Sequence, residues 1–196
     1  WVGDAAVAVC VRYVGGVVAV AFRGTQTTED AIANMDTTLV DNPYGAGRVH
    51  RGFLERYQAF RDELRLVGAD WRVSPSKWWL TGHSLGAALA TLAMFDLRPA
   101  RATVFGSPKV GDGACARALE ACAGFASHVN LVDPVCTMPA RGPYVAPVRA
   151  LVVFACDKGC WSRNHSMATY LAAACENACG AAAATRFEPC ERGLRA

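Results

Sequence analysis

Residues 79–90 read Trp-Leu-Thr-Gly-His-Ser-Leu-Gly-Ala-Ala-Leu-Ala, an apolar run that meets a GxSxG pentapeptide and continues as a helix of small residues. Where a strand reverses sharply into a helix, glycines on both sides of a serine remove the Cβ atoms that would clash in the turn. The hydroxyl of Ser84 is then presented above the sheet edge at a helix N-terminus, where the macrodipole favours developing negative charge. The pentapeptide alone is weak evidence, because glycine and serine are common in turns. The strand before it and the helix after it give it weight.

A serine hydroxyl is a poor nucleophile at neutral pH, so Ser84 needs an imidazole base and a carboxylate that orients the base. Four histidines are present. His83 lies inside the elbow and by strand alternation points away, while His50 and His128 precede or interrupt the elements that should carry acid and base. His165 is left. In α/β-hydrolases the acid and then the base follow the nucleophile along the chain, which asks for a carboxylate between Ser84 and His165 at the end of a strand. Asp133 meets this, since it closes the run His128–Val132 and is followed by Pro134. Asp96, Asp112 and Asp157 compete with it. Asp96 falls late in the helix that begins at Ser84, Asp112 in a Gly-rich turn, and Asp157 closes no clear parallel strand, so surface or capping roles suit them better.

The elements that must position these residues alternate along the chain. Ala5–Val14 and Val17–Phe22 are β-rich apolar runs joined by Gly15-Gly16, which predicts a hairpin. Residues 27–35, with threonine caps and acids in the first turn, predict a short helix, and 41–47 a loop of turn formers. Gly52–Val67 sets Phe53, Leu54, Tyr57, Phe60, Leu64 and Leu66 mostly on one side of a helix. Trp78–Thr81 reads as a buried strand and Ser84–Leu97 as a helix. Arg101–Phe105 and His128–Val132 read as strands with a helix over Gly113–Ala123 between them, followed by a strand over Val148–Cys156 and a helix over His165–Ala178. This alternation predicts a mostly parallel central sheet with helices on both faces. With a nucleophile elbow at Ser84, that is an α/β-hydrolase fold.

At 196 residues the chain suits one domain, expected over 1–196, with a substantial core. Its 53% hydrophobic and 19% charged residues set it apart from disordered chains. The net charge of +3 comes with no basic cluster interleaved with aromatics, which argues against nucleic acid as a partner. No apolar run approaches the roughly 18 residues that a membrane span requires. Nine cysteines are present, six of them late, at Cys136, Cys156, Cys160, Cys175, Cys179 and Cys190. That density predicts disulfides and an oxidising compartment, such as the one a secreted protein meets. Two CxxxC spacings also admit zinc, but neither is the tight pair of structural zinc sites, so disulfides are preferred. Neither a metal nor a cofactor is expected. The odd count leaves at least one cysteine unpaired unless it bridges to another molecule, and Cys10 in its apolar strand is the candidate.

Six motifs, Val20–Thr25, Val49–Phe53, Thr81–Leu92, Phe105–Asp112, Val129–Pro139 and His165–Leu171, resemble in order the motif set of the fungal-type class 3 lipases. The resemblance implies Ser84 as nucleophile, Asp133 as orienting acid and His165 as base, in agreement with the choice made from the residues. It also implies that Thr25 lends its backbone N–H and its hydroxyl to an oxyanion hole beside the N–H of Leu85. The activity it implies is hydrolysis of lipid esters through an acyl-enzyme, at a lipid–water interface. Soluble or short-chain esters, including feruloyl-type esters, are the alternative; an acyltransferase or a non-catalytic lipid-binding relative fits less well. Relatives usually carry a further helix and strand before the hairpin, so an N-terminal segment is expected to be lacking. Residues 26–39 resemble a lid, with Ile32, Met35 and Leu39 as its main large apolar side chains. At about 25 cal/mol per Å² of apolar area buried, such a lid gains little at an interface, which predicts weak interfacial activation. The cysteines around His165 are expected to hold the base loop by disulfides.

Overall fold

The computed structural model describes residues 8–12, 16–24 and 36–179. Strands β1 (Ala8–Arg12), β2 (Val18–Phe22), β5 (Trp78–His83), β6 (Arg101–Phe105), β8 (Phe125–Asn130) and β10 (Leu151–Phe154) form a six-stranded sheet in the order β1-β2-β5-β6-β8-β10. All but β1 run parallel, so their C-terminal ends gather on one edge. The predicted hairpin pairs β1 with β2, Arg12 opposite Val18. Gly16 sits there at φ 80°, the left-handed region that glycine enters without a Cβ clash; residues 13–15 of the turn lie outside the described residues.

Helix α1 (Arg51–Trp71) begins where His50 Nδ1 accepts the N–H of Phe53 at 3.4 Å and ends at Arg72 in the αL conformation. Phe53, Leu54, Tyr57, Phe60, Leu64 and Gly68 are its buried residues, which at 3.6 residues per turn form one stripe. That stripe meets the sheet. The Phe60 ring lies 5.9 Å from that of Phe22, and at Gly68 a Cβ would come within 2.7 Å of the Trp78 indole. Helix α2 (Leu85–Leu97) is buried at every position except Asp96. A helix apolar all round belongs in the interior, and its glycine and alanines let it lie close on β2, β5 and β6. The opposite face of the sheet is met by α5 (Met167–Cys179), whose Tyr170 packs edge-on to Phe105 and Phe154 at 6.4 and 5.2 Å. Helices thus approach both faces, as the alternation predicts.

Asp96 has a larger part than a surface or capping acid. Its side chain, only 3% exposed, turns toward α1 and accepts from Tyr57 Oη (2.8 Å), Arg61 Nε (2.8 Å) and Nη2 (3.1 Å), and Arg65 Nη2 (2.7 Å). Burial pushes the Asp96 carboxyl up, but the bonds from Arg61, Tyr57 and Arg65 outweigh it and hold the group below its ordinary value. The cluster fastens α1 to the last turn of α2.

Several boundaries differ from the sequence reading. β8 covers Phe125–Asn130 rather than His128–Val132; Leu131 and Val132 have left the sheet and are 64% and 39% exposed, so their apolar character misplaces the strand. β10 is shorter than predicted because Val148–Ala150 forms a 3-10 turn. The helix α3 stops at Glu120 (Gly113–Glu120), and the last predicted helix is two, α4 (Trp161–Asn164) and α5, with His165 in the turn between them. Four strands of two or three residues, β3 (Leu39–Asp41), β4 (Arg48–His50), β7 (Gly111–Asp112) and β9 (Tyr144–Val145), form a second, antiparallel sheet. They are too short to show alternation. Leu39, counted with the lid, belongs to β3; residues 25–35, with the predicted short helix and most of the lid, lie outside the described residues.

The expected disulfides are not formed among the described residues: Cys10, Cys115, Cys122, Cys136, Cys156, Cys160 and Cys175 are free. Each faces neighbours of its own. Cys122 Sγ donates to Ala118 O at 3.3 Å, Cys136 lies against Asp133 and Tyr170, and Cys160 is exposed beside Ser162. Burial pushes the thiols of Cys115 and Cys136 up to about 12. Cys179 and Cys190 side chains lie outside the described residues.

Asp96→Ala is expected to cost about 2 kcal/mol, the scale of hydrogen bonds to a charged group, read from urea unfolding. Because the folded pKa is lowered, the share of stability due to Asp96 is present above the unfolded value of 3.8 and is lost as pH falls through the folded one. The variant should therefore lose less stability than the parent on acidification; equal losses would contradict this. Thiol titration of the unreduced, unfolded chain should count at least seven thiols, and fewer would mean that at least one of these seven is bridged.

Candidate active site

β5 hands the chain to α2 through Ser84, whose backbone is at φ 57° and ψ −124°. A non-glycine residue there is strained. The fold leaves it no alternative, because a Cβ on Gly82 would run into the Gly86 backbone and a Cβ on Gly86 into Phe22 O. The flanking glycines thus supply close approach, while Ser84 itself takes the positive φ. Its N–H donates to Phe105 O at 3.1 Å, and its carbonyl accepts from Ala87 and Ala88 at 3.0 and 3.3 Å. Ser84 Oγ is buried and has no hydrogen-bond partner.

Asp133 lies three residues past β8 and caps the 3-10 turn Pro134–Thr137, its Oδ1 accepting from Val135 N at 2.9 Å. Its Oδ2 accepts from His165 Nδ1 at 2.7 Å and from Tyr170 Oη at 2.6 Å, with Cys136 Sγ 3.6 Å away. Asp133 and His165 are 1% and 3% exposed. A carboxylate accepts only, so Nδ1 of His165 carries the hydrogen and Nε2 of the neutral ring keeps a lone pair. That Nε2 is buried and unpartnered, like Ser84 Oγ. An imidazole lone pair and a serine hydroxyl in want of partners are what proton transfer from the serine requires.

The segments that carry them both reach the end of β6. Phe105 O receives the Ser84 N–H, and the next residue, Gly106 at φ 56°, is so enclosed that a Cβ would stand 3.2 Å from Asp133 Oδ2 and from His165 Cε1. On the other side, Gly24 at the end of β2 is close to the elbow: a Cβ there would lie 2.9 Å from His83 O and 3.6 Å from Ser84 Cβ. Thr25 follows it and lies outside the described residues. Leu85 opens α2, where the first N–H groups of a helix have no carbonyl one turn back. Gly24, Ser84, Leu85, Gly106, Asp133 and His165 gather at the C-terminal edge of the parallel strands, the edge on which open α/β sheets place their sites.

Four further residues shape the site and were not picked out from the sequence. His83 Nε2 donates to His165 O at 2.6 Å, its ring 4.5 Å from that of His165. Burial, then the neighbouring His165, lowers its pKa to about 4, so the ring is neutral. The Tyr170 hydroxyl accepts from Asn130 N at 3.2 Å, which leaves its single hydrogen for Asp133. Asn130 and Asn164 are buried amides on the two segments that carry acid and base. Of the four, His83, Asn130 and Tyr170 fall within the motifs Thr81–Leu92, Val129–Pro139 and His165–Leu171, whereas Asn164 lies outside all six. The remaining candidates are placed elsewhere: His50 caps α1, His128 stacks on Phe105 at 4.8 Å, Asp112 caps α3 and Asp157 bonds Gly159 N and Asn164.

The family model for lipase (class 3) matches residues 19–142. The chain is 32% identical to the secreted mono- and diacylglycerol lipase A of Penicillium cyclopium, over 69% of this chain and 47% of that protein. It is 33% identical to the chloroplastic phospholipase A(1) DAD1 of Arabidopsis thaliana, over 53% of this chain and 29% of that one. It thus spans less than half the length of these curated relatives. Among solved structures, the triacylglyceride lipase of Rhizomucor miehei superposes with a TM-score of 0.60 at 29% identity, covering 67% of this chain and 55% of that one. With the match to the family model extending from β2 through the elbow and Asp133, the chain belongs to the class 3 lipase family.

Proposed function

We propose that the chain is a serine carboxylic-ester hydrolase acting on lipid esters, with Ser84 as nucleophile, His165 as base and Asp133 as the acid that orients it. The observation that carries this reading is the buried Asp133–His165 bond of 2.7 Å, which leaves Nε2 unpartnered at the strand edge that also bears the unpartnered hydroxyl of Ser84. Nε2 takes the serine proton as Oγ attacks the ester carbonyl, Asp133 stabilises the imidazolium, and the proton is returned to the leaving alcohol. Water, activated by the same imidazole, releases the acyl group. The oxyanion is received by the N–H of Leu85 together with the N–H and hydroxyl of Thr25; the close approach of Gly24, its chain neighbour, to Ser84 supports that role.

The relatives are described as acting on phospholipids and on mono-, di- and triacylglycerols, which supports glycerolipid esters as the substrate class. The Penicillium relative is described as secreted, which supports secretion here. Among the described residues no helix is long and apolar enough to cross a membrane. A second reading, soluble or short-chain esters, is favoured by the polarity of residues 26–35, where Ile32 and Met35 are the large apolar side chains.

Hydrolysis of p-nitrophenyl esters from butyrate to palmitate tests both. Ser84→Ala should lower kcat on the order of a millionfold. Thr25→Ala should lower it about 100-fold, the scale of one oxyanion donor. Activity retained by Ser84→Ala in a purified preparation would overturn the assignment, and a preference confined to the shortest chains would favour the second reading.

A further inference from the structure

The loop that carries His165 is not held by a bond between the described cysteines, so something else must fix the imidazole. Asn130, the last residue of β8, is fully buried and stands opposite Phe154 in the parallel pairing with β10. Two residues beyond Phe154 its side chain continues that pairing: Oδ1 accepts from Cys156 N at 3.0 Å and Nδ2 donates to Cys156 O at 3.0 Å. The second hydrogen of Nδ2 goes to Asn164 O at 3.1 Å, the carbonyl immediately before His165. The amide is thereby bonded at both ends, with both hydrogens used. The backbone of the same residue reaches the acid: Asn130 O accepts from Asp133 N at 2.9 Å, and Asn130 N donates to the Tyr170 hydroxyl that bonds Asp133 Oδ2.

One residue therefore faces the acid through its backbone and the base loop through its side chain. We propose that Asn130 is a positioning residue for the reaction, its amide fixing the 155–165 loop against the acid strand and so setting where the His165 imidazole stands relative to Ser84. The role rests on the triad reading above. An aspartate, equal in size, keeps the acceptor for Cys156 N but turns both donors into an oxygen facing two carbonyls. Alanine removes all three bonds.

In Asn130→Ala, kcat on a soluble ester should fall about 100-fold with KM within about twofold, as expected when a reacting group is displaced without loss of the binding surface. Asn130→Asp should fall comparably. In a His165→Ala background, Asn130→Ala should change the residual rate little, because the group it positions is gone. A folded Asn130→Ala with wild-type kcat, a loss confined to KM, or an undiminished further loss in the His165→Ala background would each overturn the role. If both Asn130 variants fail to fold, hydrogen exchange on the unaltered protein decides: the Cys156 amide should be protected to the level of the β8 amides, and rapid exchange would overturn the clamp. Wild-type activity in His165→Ala or Asp133→Ala would instead overturn the triad reading itself, whereas inactive triad variants with a fully active Asn130→Ala would remove the positioning role alone.

Discussion

A non-glycine residue held at φ 57° and ψ −124° costs roughly 1–3 kcal/mol and persists only where its surroundings leave the chain no easier path. At Ser84 those surroundings are two glycines at van der Waals limits, Gly82 against the Gly86 backbone and Gly86 against Phe22 O. Helix α2 must therefore lie almost in contact with β2 and β5, which explains why it is built from Gly86, Ala87, Ala88, Ala90 and Ala93 and why nearly all of it is buried. The apolar burial of α2 and its clamp through Asp96 to α1 supply what the strained turn costs. Strain at one residue and five glycine or alanine positions in the helix that follows it are two views of one requirement.

The opposite half of the site is held by hydrogen bonds. Asp133 accepts from Val135 N, His165 Nδ1 and Tyr170 Oη, and Tyr170 accepts from Asn130 N. His83 Nε2 and Asn130 Nδ2 hold successive carbonyls of the base loop, those of His165 and Asn164. A buried polar network of this kind is rigid when every member is satisfied and costly when one is missing. Satisfaction is nearly complete here: the buried side-chain atoms without a partner among the described residues are Asn42 Nδ2, His50 Nε2, Trp78 Nε1 and His128 Nδ1, none of which bonds the acid or the base, and Ser84 Oγ and His165 Nε2, the two that the proposed reaction uses. His83, read from the sequence as a histidine facing away from the serine, contributes by doing so, because its direction brings it onto the His165 backbone.

The parts of this arrangement that could be read in the sequence are those with a local signature. The GxSxG turn, the apolar runs of β5 and β6, and the order Ser84, Asp133, His165 depend on neighbours in the chain. β8 was misplaced because Leu131 and Val132 have the composition of a strand and the position of an exposed loop. The second sheet escaped because no strand in it exceeds three residues. Cysteine count suggests bridges, but pairing depends on which thiols the fold brings together, and Cys122, Cys136 and Cys160 face a carbonyl, a phenol and solvent instead. Asn130 and Asn164 were invisible for a similar reason: a buried asparagine and a loop asparagine look alike until their partners, 26 and 34 residues away for Asn130, are known.

Whether the strained Ser84 is the nucleophile and His165 its base is read by reacting the folded chain with a fluorophosphonate and mapping the adduct by peptide mass spectrometry. One adduct per chain is expected, on Ser84, formed far more slowly when His165 is replaced by alanine. An adduct on another residue, or labelling of Ser84 at an unchanged rate without His165, would contradict it.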